Sequence, residues 1–201
     1  MNNYKTISAP SEGIYKEKGS KFLAFAYPVT HVDEVKEHIK TFKKDYFDAR
    51  HICYAYMLGA ERKEFRAVDD GEPSGTAGKP ILGQINSKNL TNILVVVVRY
   101  FGGVLLGTGG LTTAYKEATI DALCNATIID KNIEWDIDIT FNYLQMNDVM
   151  KIIKDTNATI IQQQFDNVCL IKLRIENINF EETLSKLKNT YDLKIGDYPQ
   201  K

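Results

Sequence analysis

The 201 residues are 44% hydrophobic and 25% charged, with a formal net charge of −1. This length suits one large domain or two small ones, and the composition is that of a folded globular chain rather than a disordered or fibrous one. It excludes a protein that coats nucleic acid with an overall basic surface, and the longest apolar run, Ile93 to Val98, is far too short to span a bilayer.

The N-terminal stretch MNNYKTISAP lacks the basic-then-apolar pattern of a signal peptide, so the cytoplasm is the expected location and no membrane partner is expected. Residues 1–129 carry a net charge of +2 and residues 130–201 one of −3. Any contact with nucleic acid therefore needs a patch that the fold assembles. Cys53, Cys124 and Cys169 are odd in number, far apart and flanked by apolar residues. They read as small buried hydrophobes, with no disulfide framework, metal site or cofactor implied.

In chain order, EGIYKEKGSKFLAFAYPV (12–29) predicts two strands around a turn at Lys18-Gly19-Ser20. Val32, Val35, Ile39 and Phe42 recur with the period of an amphipathic helix over 31–47, on which His31 and His38 are expected to face solvent. HICYAYML (51–58) predicts a strand, with FRAV (65–68) as its hairpin partner. Pro80 suits the first turn of a helix over 79–89. ILVVVVRYF (93–101) predicts a central strand buried on both faces, and a helix follows from about Gly109. The pattern restarts near residues 128–132. Alternation in IEWDIDITF (133–141) predicts a strand with one covered face, Trp135 in its core. A helix over 147–157, a strand pair over 158–165 and 167–175, a helix over 180–190 and a strand over 193–198 complete the order β-α-β-β-α-β, the ferredoxin-like arrangement.

Two stretches carry chemistry. RYFGGVLLGTGG (99–110) sets five glycines, Gly102, Gly103, Gly107, Gly109 and Gly110, between the buried strand and the following helix. Glycine lets backbone N–H groups turn inward, and a helix N-terminus adds positive potential, so the stretch can form an anion nest. Arg99 would add a forked cation, and Thr108, Thr112 and Thr113 hydroxyl donors. The stretch is neither a P-loop nor a Rossmann fingerprint. The bland alternative is close packing of helix on strand. DDGEPSGTAG (69–78) carries Asp69, Asp70 and Glu72 among small residues. Asp70 and Glu72 would point the same way in extended chain, and with His51 could do acid–base or metal chemistry. The local alternative is an Asp-Asp-Gly turn, with Ser74 or Thr76 hydrogen-bonding backbone before the helix over 79–89. Tyr54, Tyr56, Tyr100 and Phe101 could stack bases, although strand aromatics are more often core.

DDGEPSGTAGKPIL (69–82) and VVVVRYFGGVLLGTGGLTTAYKEA (95–118), preceded by RHICYAY (50–56), resemble the YigZ/IMPACT family. The resemblance implies an α+β chain of two domains. Residues 1–129 would form the IMPACT-type domain, an α/β sandwich shared with a small-subunit ribosomal protein and domain four of elongation factor G. Residues 130–201 would form a ferredoxin-like βαββαβ domain like that factor's last one. Eukaryotic relatives regulate translation by binding the activator of an initiation-factor kinase; they carry an extra N-terminal recognition domain, so that interaction is not expected to carry over. The function implied is a translation-linked regulatory protein that binds RNA, the ribosome, another anionic partner or a translation-related protein. The expected site is one groove between loops 69–78 and 99–110. There Lys79, Arg99, Thr108 and the glycine N–H groups contact phosphate, and Asp69, Asp70, Glu72, Ser74 and Thr76 shape the groove. Two other readings stand beside it: a metal-assisted hydrolase using His51, Asp70 and Glu72, and a protein-interaction module.

Overall fold

The computed structural model describes residues 2–198. They divide into two compact units, residues 4–131 and residues 2–3 with 132 onward. In the first unit, β2 (Ser11–Glu17) and β3 (Ser20–Pro28) form a hairpin. Its two turn residues, Lys18 and Gly19, both have positive φ, the backbone that matches strand twist in a two-residue turn. With β4 (His51–Leu58), β5 (Glu64–Val68) and β6 (Ile93–Tyr100) they build a five-stranded sheet of order β2-β3-β6-β4-β5. Every pairing in it is antiparallel.

The apolar run of β6 is continuous because both faces of this sheet are covered. Val95 and Val97 pack in the core that holds α2 (Gly78–Ser87) and α3 (Gly107–Cys124). Leu94, Val96 and Val98 pack in the core that holds α1 (Val32–Asp45). Each fully buried valine side chain contributes about 1.5–3 kcal/mol relative to exposure. On the α2/α3 face the strands carry small residues, Ala24, Ala26, Cys53 and Ala55, all buried, and these let the helices approach closely.

A two-stranded ladder of β1 (Asn3–Ile7) and β7 (Ile128–Asn132) joins the ends of this unit. Neither strand is expected from the sequence, which shows only that the pattern restarts near residues 128–132. Five-residue polar strands paired across the whole unit carry too little alternation to be seen locally.

The second unit consists of β8 (Glu134–Phe141), α4 (Met146–Asp155), β9 (Thr159–Phe165), β10 (Cys169–Glu176), α5 (Asn177–Lys188) and β11 (Lys194–Ile195). Their sheet order, β11-β8-β10-β9, is the ferredoxin-like one. Ile137, Ile139 and Phe141 of β8 and Ile171, Leu173 and Ile175 of β10 form the floor of its core, which α4 and α5 cover with Val149, Ile153, Leu184 and Leu187.

Details differ from expectation. α3 begins at Gly107, and the last strand spans two residues only. His38 is half-buried, stacked on Tyr27 with ring centroids 4.3 Å apart. Cys124 is exposed, unlike Cys53 and Cys169, because it falls on the last turn of α3 away from the sheet-facing stripe. Trp135 is half-buried at the edge of its core, with Nε1–H donating to Asn177 Oδ1 at 2.7 Å. Among the described residues no helix is long and apolar enough to cross a membrane.

Candidate functional site

Arg99, the penultimate residue of β6, lies on the α2/α3 face, directly between Phe22 of β3 and His51 of β4. Its side chain is 7% exposed, so it must be neutralised locally. The loop that follows β5 supplies the charge. Residues Asp69 to Glu72 make a tight turn, Glu72 N–H donating to Asp69 O at 3.0 Å. Asp70 and Gly71 at its centre have φ of 44° and 87°, the left-handed values such a turn needs. The turn throws Glu72 inward, where Oε1 accepts from Arg99 Nη1 at 2.6 Å and from Tyr115 Oη at 2.8 Å. Glu72 is 3% exposed. Arg99 Nε is buried with no hydrogen-bond partner. The guanidinium carbon also lies 5.6 Å from the Phe22 ring centre and 5.7 Å from that of Phe101.

Beneath the pair, the Cys53 thiol faces Asp69 O at 2.9 Å and Tyr115 Oη at 3.3 Å. Burial drives the Cys53 thiol far above its usual range, the Tyr115 hydrogen bond only partly opposing it, so this cysteine is no nucleophile at neutral pH. Burial, with Cys53 and Glu72 beside it, likewise holds the Tyr115 phenol protonated.

The other acids have local work. Asp69 Oδ2 accepts from Gly75 N–H at 2.7 Å, and Oδ1 accepts from Gly78 N–H at 2.8 Å and Ala77 N–H at 3.1 Å. Asp69 is thus the residue that satisfies the open end of α2. Of Ser74 and Thr76, Thr76 bonds backbone ahead of the helix as expected, its Oγ1 donating to Pro73 O at 2.7 Å, while Ser74 is exposed. Burial alone would raise the Asp69 carboxyl; its three backbone donors and nearby Lys79 outweigh that and hold it below the usual range. Asp70 Oδ2 accepts from Ile52 N–H at 2.7 Å, and His51 Nδ1 sits 2.8 Å from Asp70 O. His51, Asp70 and Glu72 therefore have three different anchors. Among the described residues no three His, Cys, Asp or Glu side chains converge as a metal site requires.

The glycines divide by task. Gly102 presses on the β2–β3 turn, where an added Cβ would lie 1.9 Å from Gly19 C. Gly103 and Gly107, with φ of 87° and 71°, bracket the exposed apolar stretch Val104-Leu105. Gly109 and Gly110 lie in the first turn of α3, which has no side-chain cap. The Thr112 and Thr113 hydroxyls, expected to serve the nest, instead donate to Thr108 O and Gly109 O within their own helix.

The two loops line one pocket of about 320 Å³. Of the residues singled out from sequence, it gathers His51, Glu72, Arg99, Phe101, Gly107 and Thr108. Lys79, exposed beside Gly75, is not among its lining residues, and neither are Asp69, Asp70 and the remaining glycines. The sequence reading missed Arg50, which sits over the Phe101 ring at 5.9 Å, and the apolar wall of Pro73, Leu105, Leu106 and Leu111. Arg50 stands beside His51 in the quoted RHICYAY stretch, so its position was the available signal.

Residues 18–123 match the Impact N-terminal domain. The chain belongs to the IMPACT family. IMPACT family member YigZ of Escherichia coli is 31% identical over 189 residues, 93% of each chain. IMPACT family member YvyE of Bacillus subtilis is 27% identical over 201 residues, 98% of this chain and 93% of its own. Protein IMPACT of Rattus norvegicus is 35% identical over 96 residues, 45% of this chain and 30% of its own length. The crystal structure of a hypothetical protein, 29% identical and covered fully on both sides, superposes with a TM-score of 0.76. Every residue of the pocket lies within the segment that matches the IMPACT domain.

Proposed function

We propose that this IMPACT-family chain is a translation-linked regulatory protein that binds RNA, the ribosome or another phosphate-bearing partner through the pocket between loops 69–78 and 99–110. Family membership supports the link to translation in general. The observation that carries the pocket is the orphaned, buried Nε of Arg99 beside the uncapped first turn of α3, where Gly107 and Thr108 line the same space. A cation with an unfilled donor and a helix N-terminus together suit an anion. The volume, near the lower limit for ligand sites, takes one phosphate-bearing group rather than a length of backbone. Arg50 at the rim adds a second cation. A second reading, a translation-related protein partner, is favoured by the apolar rim, where Leu105 is 82% and Val104 51% exposed.

The test is binding of ribosomal RNA fragments across a salt series by wild type, Arg50→Ala and Thr108→Val, with thermal melts to confirm folding. The anionic reading expects a negative salt slope that both variants flatten. Salt-insensitive capture of a protein that survives nuclease, lost in Leu105→Asp, would replace it with the second reading.

A further inference from the structure

The other face of the first unit's sheet holds a second opening. Between α1 and the β4–β5 pair lies a groove of about 350 Å³. Its floor is Tyr54 and Tyr56 of β4 with Val32, Val35 and Ile39 of α1, and its rim is Lys36, Lys40, Lys43 and Arg66. The three lysines follow at four- and three-residue spacing, so they form one row along the helix, about 6 Å and 4.5 Å apart along its axis. Arg66 faces them from β5, cross-strand from Tyr56.

Ordinary structural roles account for part of this charge. Lys36 pairs with Asp33 at 2.7 Å, and Lys43 sits in the last turn of α1, where a cation complements the helix dipole. Neither role applies to Lys40 or Arg66. Among the described residues Lys40, Lys43 and Arg66 make no ion pair, although the chain as a whole is slightly acidic. Two of the acids on α1 are otherwise engaged: Glu34 accepts from Thr30, and Asp33 from Lys36. An aromatic and aliphatic floor between two cationic edges has the chemistry of a single nucleic-acid strand, bases on the floor and phosphates at the edges.

We propose that this groove binds single-stranded RNA, with Lys40, Lys43 and Arg66 on phosphates and Tyr54 stacking a base. The choice of a single strand follows from the floor, which only an unstacked base can reach. The choice of RNA over DNA rests on the translation-linked reading above; the groove itself does not use the pocket.

The experiment titrates fluorescent single-stranded RNA of mixed sequence against the full chain from low to high salt. The variants are Lys40→Ala/Lys43→Ala/Arg66→Ala, Tyr54→Leu and Tyr54→Phe, each checked by thermal melt. Removing three phosphate contacts should lower the salt slope by about 2. Tyr54→Leu should weaken binding roughly 5- to 150-fold, the range of one base stack, while Tyr54→Phe keeps it. An unchanged slope in the triple variant, wild-type affinity in Tyr54→Leu, or a loss in Tyr54→Phe equal to that in Tyr54→Leu overturns the proposal. Equal affinity for a single-stranded DNA oligonucleotide of the same sequence overturns the choice of RNA, and displacement of RNA by a polyglutamate peptide at matched charge overturns nucleic acid as the occupant. Arg50→Ala in the same titration separates the two sites. Loss only there overturns the groove; loss only in the groove variants overturns the pocket and leaves the groove standing.

Discussion

Glu72→Gln removes the counter-charge of Arg99 while preserving the size of the side chain. With 7% and 3% of the two side chains exposed, water cannot replace the lost carboxylate. A buried charge stripped of its partner costs about 3–5 kcal/mol. Two features favour the lower end. The glutamine amide oxygen still accepts from Arg99, and the faces of Phe22 and Phe101 offer the guanidinium about 0.5–2 kcal/mol of compensation. The expected loss is therefore about 3 kcal/mol. At a urea dependence of about 2 kcal/mol per molar, the unfolding midpoint falls by about 1.5 M. Far-UV circular dichroism reports the transition, and fluorescence of Trp135, which packs in the other unit's core, marks the unaltered one. Tyr115→Phe leaves both charges and removes one donor to Glu72, for a loss of about 1.5–3 kcal/mol. Replacing the whole pair, Arg99→Met with Glu72→Leu, should be neutral or up to about 4 kcal/mol stabilising, since no charge is then left to desolvate. A Glu72→Gln loss below about 1 kcal/mol, the level of an exposed pair, would refute the reasoning.

Asp69→Asn should cost α2 part of its cap, about 0.5–2 kcal/mol at neutral pH. Because the folded Asp69 carboxyl titrates below the usual range, its ionic contribution is fully present above the unfolded value of about 3.9 and is lost as pH falls through the folded one. Melting temperatures between about pH 4 and pH 2 should thus fall more steeply in wild type than in Asp69→Asn; parallel curves would contradict the assignment. Gly102→Ala places a methyl against the Gly19–Ser20 backbone, 1.9 Å and 2.1 Å away, and should cost about 1–3 kcal/mol or more by urea unfolding. Gly109→Ala meets nothing within 4 Å and should be neutral or gain up to about 1 kcal/mol by the same assay. Equal effects at the two glycines would mean that the loop rearranges in solution.

What the sequence revealed depends on how local the cause was. The run Ile93 to Val98 announced a doubly covered strand because every residue obeys one rule, burial. The ferredoxin-like unit was legible from alternation in 133–141 and the strand pair over 158–165 and 167–175. The motifs at 69–78 and 99–110 mark two loops that line one pocket, but not what each side chain does there. Glu72 and Asp70 differ by two positions, so extended geometry aligned them; the positive φ at Asp70 and Gly71 undoes that. Asp69 as the cap of α2 was hidden because it acts across eight and nine residues on Ala77 and Gly78, not at the adjacent position. The partnership of Tyr115 with Glu72 was out of reach altogether, since a helical stripe shows that a tyrosine is buried and not which polar atom its hydroxyl meets.

The two proposed surfaces share one strand, and that gives the tests their resolution. Along β4, His51 and Cys53 face the α2/α3 side, where Arg99 and Glu72 lie, while Tyr54 and Tyr56 face α1. Alternation forces this: neighbours on a strand point to opposite faces. A slip of one residue in the β4–β6 register would exchange the faces, burying tyrosines where α2 and α3 need Cys53 and Ala55. The bulky and small residues of β4 therefore fix the register, and the register keeps the two openings apart. Changes at Tyr54 act on the groove and changes at Arg50 on the pocket, so a partner that responds to one and not the other identifies its own side of the sheet.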